Sequence, residues 1–236
     1  MRKMARLRNC GRVSLLFFFA VPLASSAFAQ GFDPRISFLL GASLPSGSRT
    51  FVVGPNVFDT QFQNGAKLGL RGAVNIREHW GVEATYSFSA DGLQITQVAP
   101  ATVQNFGVHI DEFTGNALFF FTGHERFLRP FLTAGLGASH FSPTDNAKLM
   151  AATNFLGQRA VITSSSEFNF NFGAGIEARA WDHFGVRFDL RDHVTGFPSF
   201  GLPQNATSPN APFFPVSGRV QDVELTAGFV YHFLSR

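Results

Sequence analysis

Residues 166–191 constrain most tightly what this chain can fold into. Phe168, Phe170, Phe172, Ala174, Ile176, Ala178 and Ala180 share one parity, while Glu167, Asn169, Asn171, Gly173, Gly175, Glu177 and Arg179 share the other. After Trp181-Asp182-His183 the alternation resumes, with Phe184, Val186, Phe188 and Leu190 set against Gly185, Arg187, Asp189 and Arg191. Successive side chains point to opposite faces only in a strand, so the segment reads as a β-hairpin with one apolar and one charged face. A soluble antiparallel sheet with one wet face would show the same pattern. The rest of the chain decides between the two.

The first 29 residues read as an export signal. Arg2, Lys3, Arg6, Arg8 and Arg12 precede an apolar run from Val13 to Leu23, and Ala27-Phe28-Ala29 offers a small-x-small cleavage site. The run is too short to span a bilayer as a helix, so cleavage after Ala29 is expected, with a second domain spanning residues 30–236. Five of the 19 basic residues and none of the 16 acidic ones lie in that signal, leaving 14 basic against 16 acidic. The basic balance of the whole chain therefore gives no reason to expect a nucleic-acid partner. Cys10, the only cysteine, also lies in the signal, so neither disulfides nor a thiol nucleophile are expected afterwards.

Residues 30–236 read as an all-β domain of eight strands. They are expected near Arg35–Leu44, Phe62–Ile76, Trp80–Ser89, Gln104–Phe121, Pro130–Phe141, the two arms of the opening hairpin, and Val220–Phe233. The fourth is irregular: Phe106, Val108 and Ile110 share one parity, and Phe113, Ala117, Phe119 and Phe121 the other. A bulge near Asp111-Glu112 would reconcile them, because one extra residue flips the face. Short connections (77–79, 122–129, 181–183) alternate with long turn-rich ones near 45–61, 91–103, 142–165 and 195–218. Short turns at one end and long loops at the other are what an up-and-down transmembrane barrel shows. Such a closed barrel satisfies its backbone without water and leaves no free edge.

In that arrangement the inward set includes Lys67, Arg71, Arg179, Arg187 and Arg191, opposed by Glu83, Glu177, Asp189 and Glu224. An eight-stranded barrel is narrow enough for side chains to fill, so an internal ion-pair network is expected rather than an open pore. Trp80 and Trp181, the only tryptophans, sit at short turns within the related segments Glu78-His-Trp-Gly-Val-Glu83 and Asp182-His-Phe-Gly-Val-Arg187. With Phe184, Tyr231 and Phe233 they are the expected interface aromatics.

Val223, Leu225, Ala227, Phe229, Tyr231 and Phe233 alternate with Glu224, Thr226, Gly228, Val230 and His232. This run resembles the C-terminal strand of bacterial outer-membrane barrels, although Leu234-Ser235-Arg236 follow the phenylalanine. Together with the signal, strand count and loop asymmetry, the chain resembles the small eight-stranded OmpA/OmpX-like family. The resemblance implies an eight-stranded antiparallel up-and-down transmembrane β-barrel in the Gram-negative outer membrane. Outer-membrane lipid and lipopolysaccharide surround it, and the assembly machinery reads its C-terminal strand. It also implies a monomer with a structural or surface-interaction role, the alternative being a small low-conductance channel.

An enzyme is not expected. His140 and Ser142 resemble a pair used by barrel hydrolases that deacylate lipopolysaccharide, with Asp145 or Glu167 to orient the histidine, but strand parity turns His140 outward. Gly135-Leu-Gly137 and Gly173-Ala-Gly175 do not open helices, so they are not phosphate loops. The histidines are scattered, with no pair at ligand spacing on one strand, so neither a metal nor a cofactor is expected. The expected loops carry Phe51, Phe197, Phe200, Phe213 and Phe214, which either contact a partner or pack on one another.

Overall fold

The computed structural model describes residues 33–123, 125–207 and 211–234; the expected signal and Cys10 lie outside the described residues. Among the described residues nine strands and one helix follow in order. They are β1 (Asp33–Ser46), β2 (Ser48–Val53), β3 (Asn56–Asn75), β4 (Trp80–Gln97), β5 (Thr102–Phe120), β6 (Leu128–Pro143), α1 (Asp145–Thr153), β7 (Ser165–Arg179), β8 (Phe184–Gly196) and β9 (Arg219–His232). The sheet order is β1-β9-β8-β7-β6-β5-β4-β3-β2, all antiparallel, and a further β1–β3 pairing from Asp33↔Asn75 to Ser43↔Gly65 closes the ring. Eight strands form the barrel. The ninth, β2, continues the β1 side after Gly47, whose φ of +103° permits the kink, and pairs with the upper part of β3 from Ser48↔Gln61 to Val53↔Asn56.

Alternation sorts the faces. Leu40 is 71% exposed, as are the bulk of Phe38, Phe113, Phe168, Phe188 and Phe229, whereas Arg71 on the inward parity is 1% exposed. Exposed grease outside and buried charge inside is the arrangement a bilayer selects, because the outer face meets hydrocarbon. A soluble barrel would have the two sets exchanged.

Two expectations fail. No bulge interrupts β5: its register with β4 runs unbroken from Trp80↔Phe119 to Gln97↔Thr102. Phe106, Val108 and Ile110 are inward and buried, while Phe113 is outward, because the interior itself changes from polar to apolar along the strand. The register shift of this region falls instead between Gln63 and Ala66 on β3.

The long connections expected at 45–61 and 91–103 are also largely strand, leaving turns at 54–55 and 98–101. Inward Phe58, Phe62, Leu93 and Ile95 on these extensions are buried, and that burial holds the extended backbone in place. They pack with Ala147 and Ala151 of α1 and with Phe155, Ile162, Phe197, Phe200, Phe214 and Val216 from the two loops that remain long. Thr144 caps the helix, its side chain accepting from the Ala147 N–H. The barrel thus continues beyond its lipid-facing band and ends in an apolar core of its own.

Candidate functional site

The candidate site is the barrel interior, filled by three tiers of charged side chains and capped by the apolar core. At the short-turn end Arg35 donates from Nη1 to Asn75 Oδ1 at 2.9 Å and places Nε 3.3 Å from Glu177 Oε2. His232 Nδ1 stands 3.1 Å from Asp33 Oδ2. The guanidiniums of Arg35 and Arg129 lie 5.1 and 3.8 Å from the Phe120 ring centroid, so one aromatic face serves two cations. Arg179 binds the Asp182 carbonyl and donates to the Leu234 carbonyl at 2.6 Å, tying the last turn to the chain end.

The middle tier joins β3, β4 and β8. Glu83 faces Arg187 Nη1 at 2.8 Å, Arg191 Nη2 at 2.8 Å and Arg71 Nε at 3.2 Å. Asp189 accepts from Arg187 Nε and Nη2 at 2.9 Å each, Arg71 Nη1 at 2.9 Å and Arg191 Nη2 at 3.0 Å. Three guanidiniums therefore share two carboxylates, all buried. Arg187 also rests 4.2 Å above the Phe131 ring, which with Ala73, Leu118 and Phe120 separates this tier from the one below.

The upper tier gathers residues of β3, β5, β8 and β9. The Lys67 ammonium bonds Glu112, lies 2.9 Å from Glu224 Oε2 and 3.6 Å from Asp222 Oδ2. Glu112 further accepts from Ser139 at 3.0 Å and Asn169 at 3.0 Å. His193 places Nδ1 3.6 Å from Glu112 Oε1 and Nε2 3.3 Å from Glu224 Oε2. Above them Ser43 donates to Asp222 at 2.8 Å and Ser89 donates to Asp91 at 2.8 Å.

Of the inward residues expected from sequence, Arg71, Glu83, Arg187, Asp189 and Arg191 meet in the middle tier, and Lys67 meets Glu224 in the upper. Glu177 and Arg179 lie at the short-turn end, apart from that network. Sequence reading passed over Asp33, Arg35, Asp91, Glu112, Arg129, His193, Asp222 and His232, all inward by strand parity. Extending each alternation to the strand ends would have found them. Glu112 was obscured by the expected bulge, which left its parity undefined.

Trp80, Trp181, Phe184, Tyr231 and Phe233 are outward at the short-turn end, and all but Tyr231 are more than half exposed. Edge contacts join Trp80 to Phe119 at 5.1 Å and Tyr231 to Phe184 and Phe233 at 5.4 and 5.2 Å. The loop phenylalanines require correction as interaction candidates. Phe51, Phe197, Phe200 and Phe214 are buried, because their rings pack around Phe214 at centroid distances of 5.5 to 6.5 Å, and Phe213 is half-buried. Outward His140 places Nδ1 2.7 Å from Ser166 Oγ rather than on Ser142, while Glu167 accepts from Ser165 and Asp145 pairs with Lys148. The expected partners of a hydrolytic triad thus have other contacts.

The chain is similar in structure to the outer membrane protein OprG from Pseudomonas aeruginosa, with a TM-score of 0.53 at 14% identity over 87% of this chain and 98% of that one. It is similar to the outer membrane protein AlkL as determined in lipid bilayers, with a TM-score of 0.52 at 16% identity over 90% and 95%. At such identities the likeness shows the fold alone. Comparison with curated protein sequences gives no match. The model of the outer membrane protein beta-barrel domain matches residues 13–233. Closed ring, outward apolar band and that match together make the chain a member of the outer membrane protein beta-barrel domain family, located in the outer membrane.

Proposed function

We propose that this protein is a closed-lumen barrel with a structural and surface-interaction role, and that it is neither a conducting pore nor an enzyme. The observation that carries this reading is the continuous filling of the interior: three charged tiers beneath a core of buried phenylalanines. A permeating ion would have to displace paired, desolvated charges and then cross an apolar zone, and each step is costly.

The interaction role rests on the external end. Its core holds β2, the strand extensions and the two long loops as one packed body, so the surface it presents is rigid rather than loose. Val52, Val98 and Val103 lie on the hairpin tips and are more than half exposed, with Val57 paired to Val52. An exposed apolar group on a rigid support is a surface suited to contact with another molecule. The reading retains residues 1–29 as the export signal, insertion through the C-terminal strand by the assembly machinery, and a monomer in lipid and lipopolysaccharide.

The test is conductance of the purified barrel in planar bilayers. The expected result is a silent bilayer while the protein keeps the mobility difference between unheated and boiled samples. Discrete, reproducible openings would replace this reading with the low-conductance channel.

A further inference from the structure

The upper tier is short of positive charge, and its geometry is that of a ligand set. Lys67 contacts three carboxylates, Glu112, Glu224 and Asp222, and a fourth, Asp91, shares Ser43 with Asp222. Among the described residues the only other cation near them is Arg71, 3.6 Å from Glu224. The middle tier below has the opposite excess, so it offers no spare carboxylates. Three buried atoms of the upper tier lack a hydrogen-bond partner: His193 Nε2, Asp91 Oδ1 and Asn169 Oδ1. One ligand atom each from Glu112, His193 and Glu224 lies within 4.8 Å of the others, spacing suited to ligands around a single small ion.

We propose that Glu112, His193 and Glu224 form a binding site for a divalent transition-metal ion, which takes the central position now held by the Lys67 ammonium. One imidazole with two carboxylates is a donor set suited to zinc, manganese, iron or cobalt, and not to thiolate-seeking ions. The displaced ammonium has a destination. Asp222 Oδ2 is 3.6 Å from Lys67 Nζ, and Asp91 beside it carries the unpartnered oxygen. A doubly charged ion with Lys67 retained nearby offsets three of the four carboxylates. Ligation through Nε2 puts the ring proton on Nδ1, so the Asn169 amide 3.1 Å away turns its unpartnered oxygen to accept it, an outer contact that fixes the imidazole. Buried Phe62, Ile110 and Phe141 lie on the external side and the arginine tier below, so the ion is loaded as the barrel closes and exchanges slowly afterwards.

The three ligands of this site lie on three different strands, β5, β8 and β9. A search for histidine pairs along one strand therefore misses it. It is compatible with a silent lumen and does not depend on the external surface having a partner.

The full mature chain is refolded in detergent with Co2+ or Zn2+, passed through a desalting column, and assayed for bound metal and for the cobalt visible spectrum. Unheated and boiled gel migration verifies that each sample is folded. The expected result is retention of roughly one ion per folded chain, with a spectrum reporting nitrogen and oxygen ligands. His193→Asn and His193→Gln should lose that retention while remaining folded, and Lys67→Met should keep it. Failure of the folded natural chain to retain metal overturns the proposal, including the case in which Lys67→Met alone retains it, because Lys67 is then the resident cation. Retention unchanged in both folded His193 variants also overturns it. Conductance is read separately, so this site and the closed-lumen reading fail independently.

Discussion

Asp189→Asn is the sharpest probe of the sealed interior. The substitution keeps the side chain's shape but removes its charge, leaving Arg71, Arg187 and Arg191 to share Glu83, with Glu224 3.6 Å from Arg71 as the only other carboxylate in reach among the described residues. In the native tier Asp189 is 2% exposed and faces these guanidiniums at 2.9 to 3.0 Å. Breaking one side of such a buried pair costs about 3–5 kcal/mol, chiefly because the remaining charges stay desolvated. At a urea slope of about 2 kcal/mol per M, the unfolding midpoint should fall by roughly 2 M. The assay is urea unfolding of the barrel in lipid vesicles, followed by the fraction that migrates as the unheated form. Adding Arg187→Met to Asp189→Asn returns the tier to its native excess of one positive charge. The double variant should therefore recover stability, with a coupling of about 1–3 kcal/mol. Asp59→Asn, at an exposed side chain that accepts from Thr50, should change stability by no more than about 0.5 kcal/mol. A cost below about 1 kcal/mol for Asp189→Asn, in the range of exposed ion pairs, would refute the reasoning. So would strict additivity in the double variant, since a hydrated interior does not couple its charges in this way.

Two further outcomes test the wall and the cap. A Cβ on Gly137 would stand 1.9 Å from the Phe113 carbonyl oxygen, whereas one on Gly72 meets nothing within 4 Å. Gly137→Val should therefore prevent β5 and β6 from closing and abolish the unheated mobility form, and Gly72→Ala should leave it unchanged within about 0.5 kcal/mol. Phe214 is fully buried among Phe51, Phe155, Phe197 and Phe200, so Phe214→Ala should cost the external core about 3–5 kcal/mol. Its signature is faster protease cleavage within residues 197–218 from the outside while the barrel keeps its mobility shift; unchanged cleavage would mean the rings do not hold the loops.

Much of this was legible along the chain. Alternation at 166–190 gave the faces of β7 and β8 correctly, and the short connections at 77–79 and 181–183 mark turns in the fold. Where reading stopped short, the reason is physical. A strand whose inward face changes from Glu112 to Ile110 and Phe106 looks like a flipped register if the interior is taken to be polar throughout. Segments rich in Gly, Pro and Ser, such as 45–61, look like loops until their inward Phe51 and Phe58 find partners from residues far along the chain. For the same reason the sequence left open whether the rings of Phe197 and Phe214 contact a partner or pack on one another, and the structure packs them together.

Within each regular run the sequence by itself determined which side chains share a face, because a period of two is a local property of extended backbone. It determined the polar inside, the apolar outside and the end at which the aromatics cluster. Only the tertiary structure decided which inward residues share a height. That depends on the stagger between strands around the closed ring, which pairing accumulates strand by strand and no single segment encodes. Hence Arg187 and Asp189 were visible as neighbours on one strand, yet their meeting with Glu83 and Arg71 was not. The gathering of Lys67, Glu112, His193 and Glu224 from four strands into one tier, beneath a core built by distant loops, likewise exists only once the barrel is shut.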